Sequence, residues 1–265
     1  MSEMTYRIPT MADMAANGQS PEVLFWVGCA GSFDDRYKKV TVAFTKILNK
    51  VGINFAVLGT EEGCTGDPAR RAGNEFLFQM QAMQNIQVLE GYGIKKIVTA
   101  CPHCFNTLKN EYPALGGTYE VLHHSEFLQQ LIDAGKIRVQ DGGAFKGRKI
   151  TFHDSCYLGR ANDVYDAPRE VLQILDAELV EMKRCRTKGL CCGAGGGQMF
   201  KEPEAGNKDI NIERIEEALE TGADTIAVAC PFCMVMMTDG VKNKEREDSV
   251  KVYDLAELLL ESMEK

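Results

Sequence analysis

Ten cysteines dominate the chemistry that this chain can offer: Cys29, Cys64, Cys101, Cys104, Cys156, Cys185, Cys191, Cys192, Cys230 and Cys233. A thiolate is a nucleophile and a soft metal ligand. In a reducing compartment, cysteines at regular spacing read as metal-binding or catalytic rather than disulfide-forming. Ten in 265 residues falls below the roughly 8–10% of a disulfide-stapled secreted scaffold.

Their spacing repeats. Cys29 follows the apolar run Val23-Leu24-Phe25-Trp26-Val27, and Cys156 follows Lys149-Ile150-Thr151-Phe152. Cys64 lies 35 positions after Cys29, and Cys191, with Cys192 adjoining, lies 35 after Cys156. Ile97-Val98-Thr99-Ala100 leads into Cys101-Pro102-His103-Cys104, and Ile226-Ala227-Val228-Ala229 leads into Cys230-Pro231-Phe232-Cys233. The chain is a tandem duplication, each half about 125 residues long. Only Cys185, which has no partner in the first half, is left as structural or incidental.

The elements that must position these thiols show the same unit twice. Apolar runs of strand length are expected at 23–27, 53–58, 95–100 and 118–122, then at 149–153, 178–182, 225–229 and 250–253. Helical periodicity separates them at 38–50, 74–90, 168–176, 207–221 and 255–263. In 74–90, Phe76, Leu77, Met80, Met83 and Val88 are read as the inward face. Asp254 with Glu257 reads as a capping box opening the last helix. Alternating strand and helix imply an α/β fold. It comprises two tandem, pseudo-two-fold-related cysteine-rich domains, each a small parallel sheet covered by helices. The expected boundaries are 21–135 and 149–265, with a linker at 136–148 and an N-terminal extension at 1–20, disordered or docked on a partner. Cys29, Cys101, Cys156 and Cys230 fall just past strand ends, where ligands bind in open α/β sheets.

Four thiolates per half suit tetrahedral zinc or an iron–sulfur cluster. The second half offers five, Cys156, Cys191, Cys192, Cys230 and Cys233, more than tetrahedral zinc requires. A multinuclear iron–sulfur centre fits that half better.

These motifs resemble the cysteine-rich CCG-domain family, which includes the B subunit of heterodisulfide reductase and iron–sulfur subunits of lactate- and glycolate-oxidising systems. Cys156, Cys191-Cys192-Gly193 and Cys230-Pro231-Phe232-Cys233 match its pattern in full. The resemblance implies that these five cysteines hold a non-cubane [4Fe-4S] centre acting in disulfide cleavage. The first half departs from the pattern, reading Gly63-Cys64-Thr65-Gly66-Asp67. Gly63 is taken as the substituted position, leaving Cys29, Cys64, Cys101 and Cys104 to hold a [4Fe-4S] cluster or zinc.

The halves also differ around their cysteines. Trp26-Val27-Gly28 stands opposite His153-Asp154-Ser155, an apolar wall against groups able to move protons near neutral pH. His153, Asp154 and Cys192 are therefore the candidate catalytic residues, with hydrogen bonding of His153 to backbone as the alternative. Gly193, Gly195 and Gly196, in the run that continues to Gly197, can present backbone N–H donors to cluster sulfurs. Lys183-Arg184-Cys185-Arg186-Thr187-Lys188, Arg160 and Arg70-Arg71 supply cations, either to an anionic cluster and substrate or simply to solvent.

Composition narrows the setting. Thirty Lys+Arg against 38 Asp+Glu, a net charge of −8, opposes sequence-independent nucleic-acid binding. No apolar run reaches membrane-spanning length, and the first twenty residues lack a signal-peptide core. A cytoplasmic protein follows as the expectation, docked on a membrane-bound partner if it works at a membrane. No dinucleotide fingerprint, Walker A motif or ferredoxin-like cysteine run is present. Electrons are thus expected from a partner, a flavoprotein or a ferredoxin-like iron–sulfur subunit. Three functions compete: reduction of a disulfide or related small-molecule acceptor at the second centre, a non-catalytic relay in a hydroxy-acid-oxidising complex, and a zinc-stabilised interaction module.

Overall fold

A computed structural model describes residues 8–202 and 205–263. The first half builds a parallel sheet from β1 (Val23–Trp26), β2 (Phe55–Ala56), β3 (Lys96–Thr99) and β4 (Glu120–His123), ordered β2-β1-β3-β4. The second repeats it with β5 (Lys149–Phe152), β6 (Glu178–Leu179), β7 (Thr225–Val228) and β8 (Lys251–Asp254), ordered β6-β5-β7-β8. Every pairing is parallel. The inner strands are buried along most of their length because helices cover both faces. Val23, Leu24, Phe25 and Trp26 are all buried, as are Thr225, Ile226, Ala227 and Val228.

The helices in chain order are α1 (Met11–Ala16), α2 (Gly28–Phe33), α3 (Lys38–Lys50), α4 (Asp67–Arg71), α5 (Glu75–Gly91), α6 (Pro102–Asn106), α7 (His124–Asp133), α8 (Gly159–Asn162), α9 (Asp166–Gln173), α10 (Ile210–Glu220), α11 (Pro231–Asn243) and α12 (Leu255–Met263). Across the join, α3 packs on α12 and α7 packs on α9. The α3 and α9 helices correspond in the two repeats, as do α7 and α12. The contact is therefore reciprocal, the mark of an approximate two-fold axis.

Buried and half-buried polar groups pin the join. Arg36 meets Glu257 at 2.6 Å and donates to the Val252 carbonyl at 2.9 Å. Tyr37 Oη donates across it to Asp254 Oδ2 at 3.4 Å, and His124 Nε2 lies 2.9 Å from Asp254 Oδ1. Two capping boxes sit at pseudo-equivalent places. His123 pairs with Glu126, while Asp254 N–H donates to Glu257 and Asp254 Oδ1 accepts from Ala256 N–H.

Three sequence expectations meet a different arrangement. Helix α5 buries Phe78, Ala82, Asn85, Ile86 and Leu89, and leaves Phe76, Leu77, Met80 and Met83 exposed. Apolar residues lie nearly all round that helix, so their period does not select a face. In the segment 136–148, Gln140–Phe145 forms a 3-10 turn packed on α12, and Ile137 and Phe145 are buried. Met11 and Met14, from the N-terminal extension, are buried in the chain's own first half, where Met11 N–H donates to Val57 O at 2.8 Å. Residues 1–7 of that extension lie outside the described residues. Among the described residues, no helix is long and apolar enough to cross a membrane.

Candidate metal centres

Both Cys-Pro-x-Cys knuckles fold alike. Cys101 and Cys230 leave β3 and β7 in extended conformation, and Pro102 and Pro231 open α6 and α11. Proline suits the first helical position because its φ is already helical and it has no N–H to leave unpaired. The second cysteine then falls three residues on, over the same helical face. All ten cysteines are free thiols.

In the first half, Cys29, Cys64, Cys101 and Cys104 line one small cleft, together with Trp26, Gly28, Thr65 and Phe232. Cys29 is exposed at its mouth, while Cys101 and Cys104 are buried. A hydrogen bond from Cys29 draws the Cys64 thiol down to about 6 against the opposing effect of burial, helped by the Gly66 N–H at 3.4 Å. Gly28 has φ +77°, and a Cβ there would stand 3.5 Å from Cys104 Sγ.

In the second half, Cys192 and Cys233 bring their Sγ atoms to 3.4 Å. Cys191 couples electrostatically to Cys156 and Cys192, and Cys230 to Cys233. Donation from Cys156 and Cys192, then from the Gly193 and Gly195 N–H groups, holds Cys191 far below the ordinary thiol range. Gly193 N–H stands 3.3 Å from Cys191 Sγ, with the left-handed φ of +96° that favours glycine. The structure thus gathers nine of the ten cysteines into two groups near strand ends. Cys185 stands apart, among Glu181, Arg169, Asp154 and Arg186.

The glycine contacts also fix the correspondence between halves. Gly66 N–H addresses Cys64 as Gly193 N–H addresses Cys191, so Thr65 stands where Cys192 stands. Thr65 Oγ1 lies 3.8 Å from Cys104 Sγ, and Cys192 meets Cys233 in the matching place. The substituted position is therefore Thr65 and not Gly63. The strict 35-residue spacing already implied this.

His153 and Asp154 point different ways. Asp154 binds Arg169 through both oxygens, at 2.9 and 3.0 Å, and accepts the Arg186 N–H at 2.6 Å. Burial would raise its pKa, but these partners hold it below the usual carboxylate range. His153 is fully buried, and its Nδ1 accepts from Arg214 Nε at 2.9 Å. Burial and that guanidinium push its pKa down to about 3. An arginine can only donate, so the neutral ring carries its proton on Nε2. That atom is buried without a partner. A ring nitrogen of His153 and the Sγ atoms of Cys192 and Cys233 lie within 4.8 Å of one another. With Nδ1 engaged, Nε2–H is the group left to address the sulfurs.

Trp26, at the position equivalent to His153, lines the first cleft, and its Nε1 is likewise buried without a partner. Each half therefore keeps one orphaned ring N–H beside its cysteines. Buried donors rarely go unpaired, and an anionic, sulfur-rich group would satisfy both. The thiol sets, the backbone donors and these rings fit iron–sulfur binding. Trp26 and Arg214 carried no motif signal; only alignment of the two halves exposes Trp26.

Most local cations are already paired. Arg184 binds Glu213 and Glu217 at 2.8 and 2.9 Å, and Arg186 binds Asp166 at 2.6 Å. Arg71 bridges Asp67 and Glu111, Arg70 binds Glu111, and Arg160 donates to the Gly189 carbonyl.

Comparison with known proteins agrees with this chemistry. A protein-family model for the cysteine-rich domain, CCG, matches residues 23–109 and 150–238. The chain is 51% identical over 257 residues to "Probable iron-sulfur-binding oxidoreductase FadF" of Bacillus subtilis, covering 97% of this chain and 36% of that protein. It is 48% identical to "EtfAB:quinone oxidoreductase" of Syntrophomonas wolfei, covering 94% and 35%. It is 37% identical to one subunit of the dihydromethanophenazine:CoB--CoM heterodisulfide reductase of Methanosarcina barkeri, covering 91% and 59%. The chain spans about a third of the length of the first two and just under three-fifths of the last. With two matched copies, two like sheets and two cysteine groups at their strand ends, the chain belongs to the cysteine-rich CCG-domain family.

Proposed function

We propose that this chain is the cluster-bearing part of an iron–sulfur oxidoreductase. In this reading the second half reduces a disulfide or related two-electron acceptor, and the first half delivers electrons to it. The observation that carries it is the set of five convergent thiols, Cys156, Cys191, Cys192, Cys230 and Cys233, with backbone N–H donors on Cys191. An iron–sulfur centre held there would supply the electrons.

The chain's own residues would hold and tune it. Gly193 and Gly195 would stabilise the charge on Cys191. His153, fixed by Arg214 with its proton on Nε2, would donate a hydrogen bond to the sulfur side of the centre. Its low pKa and buried ring favour that role over moving protons. Asp154, committed to Arg169, would brace the strand end. In the first half, Cys29, Cys64, Cys101 and Cys104 would hold a four-thiolate centre, a [4Fe-4S] cluster in preference to zinc, with Trp26 as its ring donor.

A relay without substrate chemistry of its own is the second reading. The internal pairing of Arg184, Arg186, Arg70 and Arg71 favours it, because few cations remain free to draw in an anionic substrate. In either case the electron donor is a flavoprotein or a ferredoxin-like partner. Anaerobically prepared protein is expected to hold about eight iron per chain, four for each cluster. Zinc alone at full occupancy would overturn both readings. Turnover of a disulfide with a small chemical reductant separates the enzyme from the relay.

A further inference from the structure

Three rings from the two halves meet beside the cysteine groups, and each belongs to a residue bonded to one of those cysteines. His103 precedes Cys104, Tyr157 follows Cys156, and Phe232 precedes Cys233. The His103 ring stacks on Tyr157, with centroids 4.1 Å apart and planes inclined by 28°. Phe232 meets the same imidazole edge-on at 4.7 Å. Phe232 also lines the first cleft beside Cys29, Cys64, Cys101 and Cys104, so the second knuckle forms part of the first group's wall. The rings are held in place. His103 is buried, and its Nδ1 lies 2.9 Å from Asp67 Oδ2. Asp67 is fixed by Arg71 at 3.1 Å, and the Arg71 guanidinium lies over the Tyr157 ring at 5.9 Å. The stack has no counterpart across the pseudo-two-fold axis. Ala30 stands directly after Cys29, where Tyr157 stands after Cys156, and it offers no ring to Phe232.

We propose that the stacked His103–Tyr157 pair, with Phe232 against it, is the path by which an electron crosses from the first centre to the second. The proposal rests on the reading that both centres are iron–sulfur and that the first supplies the second. One electron leaves the first centre, which is oxidised, and enters the second, which is reduced by the same electron. The rings are neither oxidised nor reduced. An electron tunnels at a rate that falls steeply with each gap it must cross, and stacked or edge-on rings in contact fill that gap with π-electron density. The tyrosine hydroxyl takes no part in this role; the ring alone is required.

The test compares Tyr157→Leu and Tyr157→Phe with the unaltered protein, each loaded anaerobically and analysed for iron and sulfide. Leucine removes the ring, and phenylalanine keeps it. Electrons are injected by flash photoreduction with an excited flavin. Freeze-quench electron paramagnetic resonance then follows the second centre's signal growing at the expense of the first's. Rates are compared at matched driving force, set from the redox titration of each variant. The transfer rate should fall about tenfold in Tyr157→Leu and stay near the unaltered value in Tyr157→Phe. An undiminished rate in Tyr157→Leu overturns the proposal, as does a phenylalanine rate as low as that of leucine. Should Tyr157→Leu lose iron, His103→Leu decides alone, and an undiminished rate there is equally fatal. Failure of the underlying reading looks different: the unaltered protein would itself lack iron in one half, or would show no transfer between its two signals.

Discussion

The two centres differ at single positions that occupy the same place in each repeat. Thr65 stands for Cys192, and a hydroxyl is a far poorer ligand for iron than a thiolate. Thr65→Cys should therefore bring the first centre's electron paramagnetic resonance and Mössbauer signatures toward those of the second, without disturbing the latter. Unaltered first-half spectra at full iron content would show that Thr65 does not set the ligand number. His153 gives a second residue-level test. Loss of a general acid costs about 10²-fold or more, whereas a fixed N–H donor can be partly replaced. His153→Gln is expected to retain turnover within about tenfold when a chemical reductant is used. A loss of about 10²-fold or more with intact clusters would restore the proton-moving role. Thr65 was legible in the 35-residue spacing of Cys29–Cys64 and Cys156–Cys191, which sets it opposite Cys192, whereas His153 was not. The state of His153 depends on Arg214, 61 positions away, and no local motif announces such a partner.

Among the elements, the strands and the duplication were the most legible parts, because inner parallel strands are short, apolar and punctuated by cysteine. Helix α5 was not, since Phe76, Phe78, Met80, Ala82, Met83 and Ile86 encircle it and only packing decides which of them turn inward. Phe78→Ala should cost about 3–5 kcal/mol, the usual penalty for emptying a buried aromatic site. Phe76→Ser should stay within about 0.5 kcal/mol, as exposed positions do. Denaturant melts compare the two, and a reversed order would return Phe76 to the core. Helix α10 carries an acid-sensitive clasp. Burial would raise the Glu217 carboxyl, but the Arg184 N–H, the Arg184 side chain and Arg214 hold it below its ordinary value. A depressed carboxylate stabilises the fold above its unfolded pKa of about 4.3. That contribution disappears as pH falls through the lower folded value. The melting temperature should therefore fall more steeply between about pH 5 and pH 3 in the unaltered protein than in Glu217→Gln. Parallel curves would remove Glu217 from the acid response.

At the scale of the whole molecule, α3 on α12, α7 on α9 and the Arg36–Glu257 pair make each half part of the other's wall. Calorimetry of the apo-protein should then show one cooperative transition with matching calorimetric and van't Hoff enthalpies. Two resolved transitions would mean that the halves fold independently. The reciprocal helix packing is the contact that two copies of a single repeat would make as a symmetric homodimer. In such a dimer every residue near the axis meets its own twin, so His103 would face another His103 and any fifth thiol would appear twice. Joining the copies in one polypeptide lifts that constraint. His103 can face Phe232, and Thr65 can replace a cysteine on one side alone. Covalent fusion is thus what allows two copies of one site to diverge residue by residue while staying in fixed register with each other.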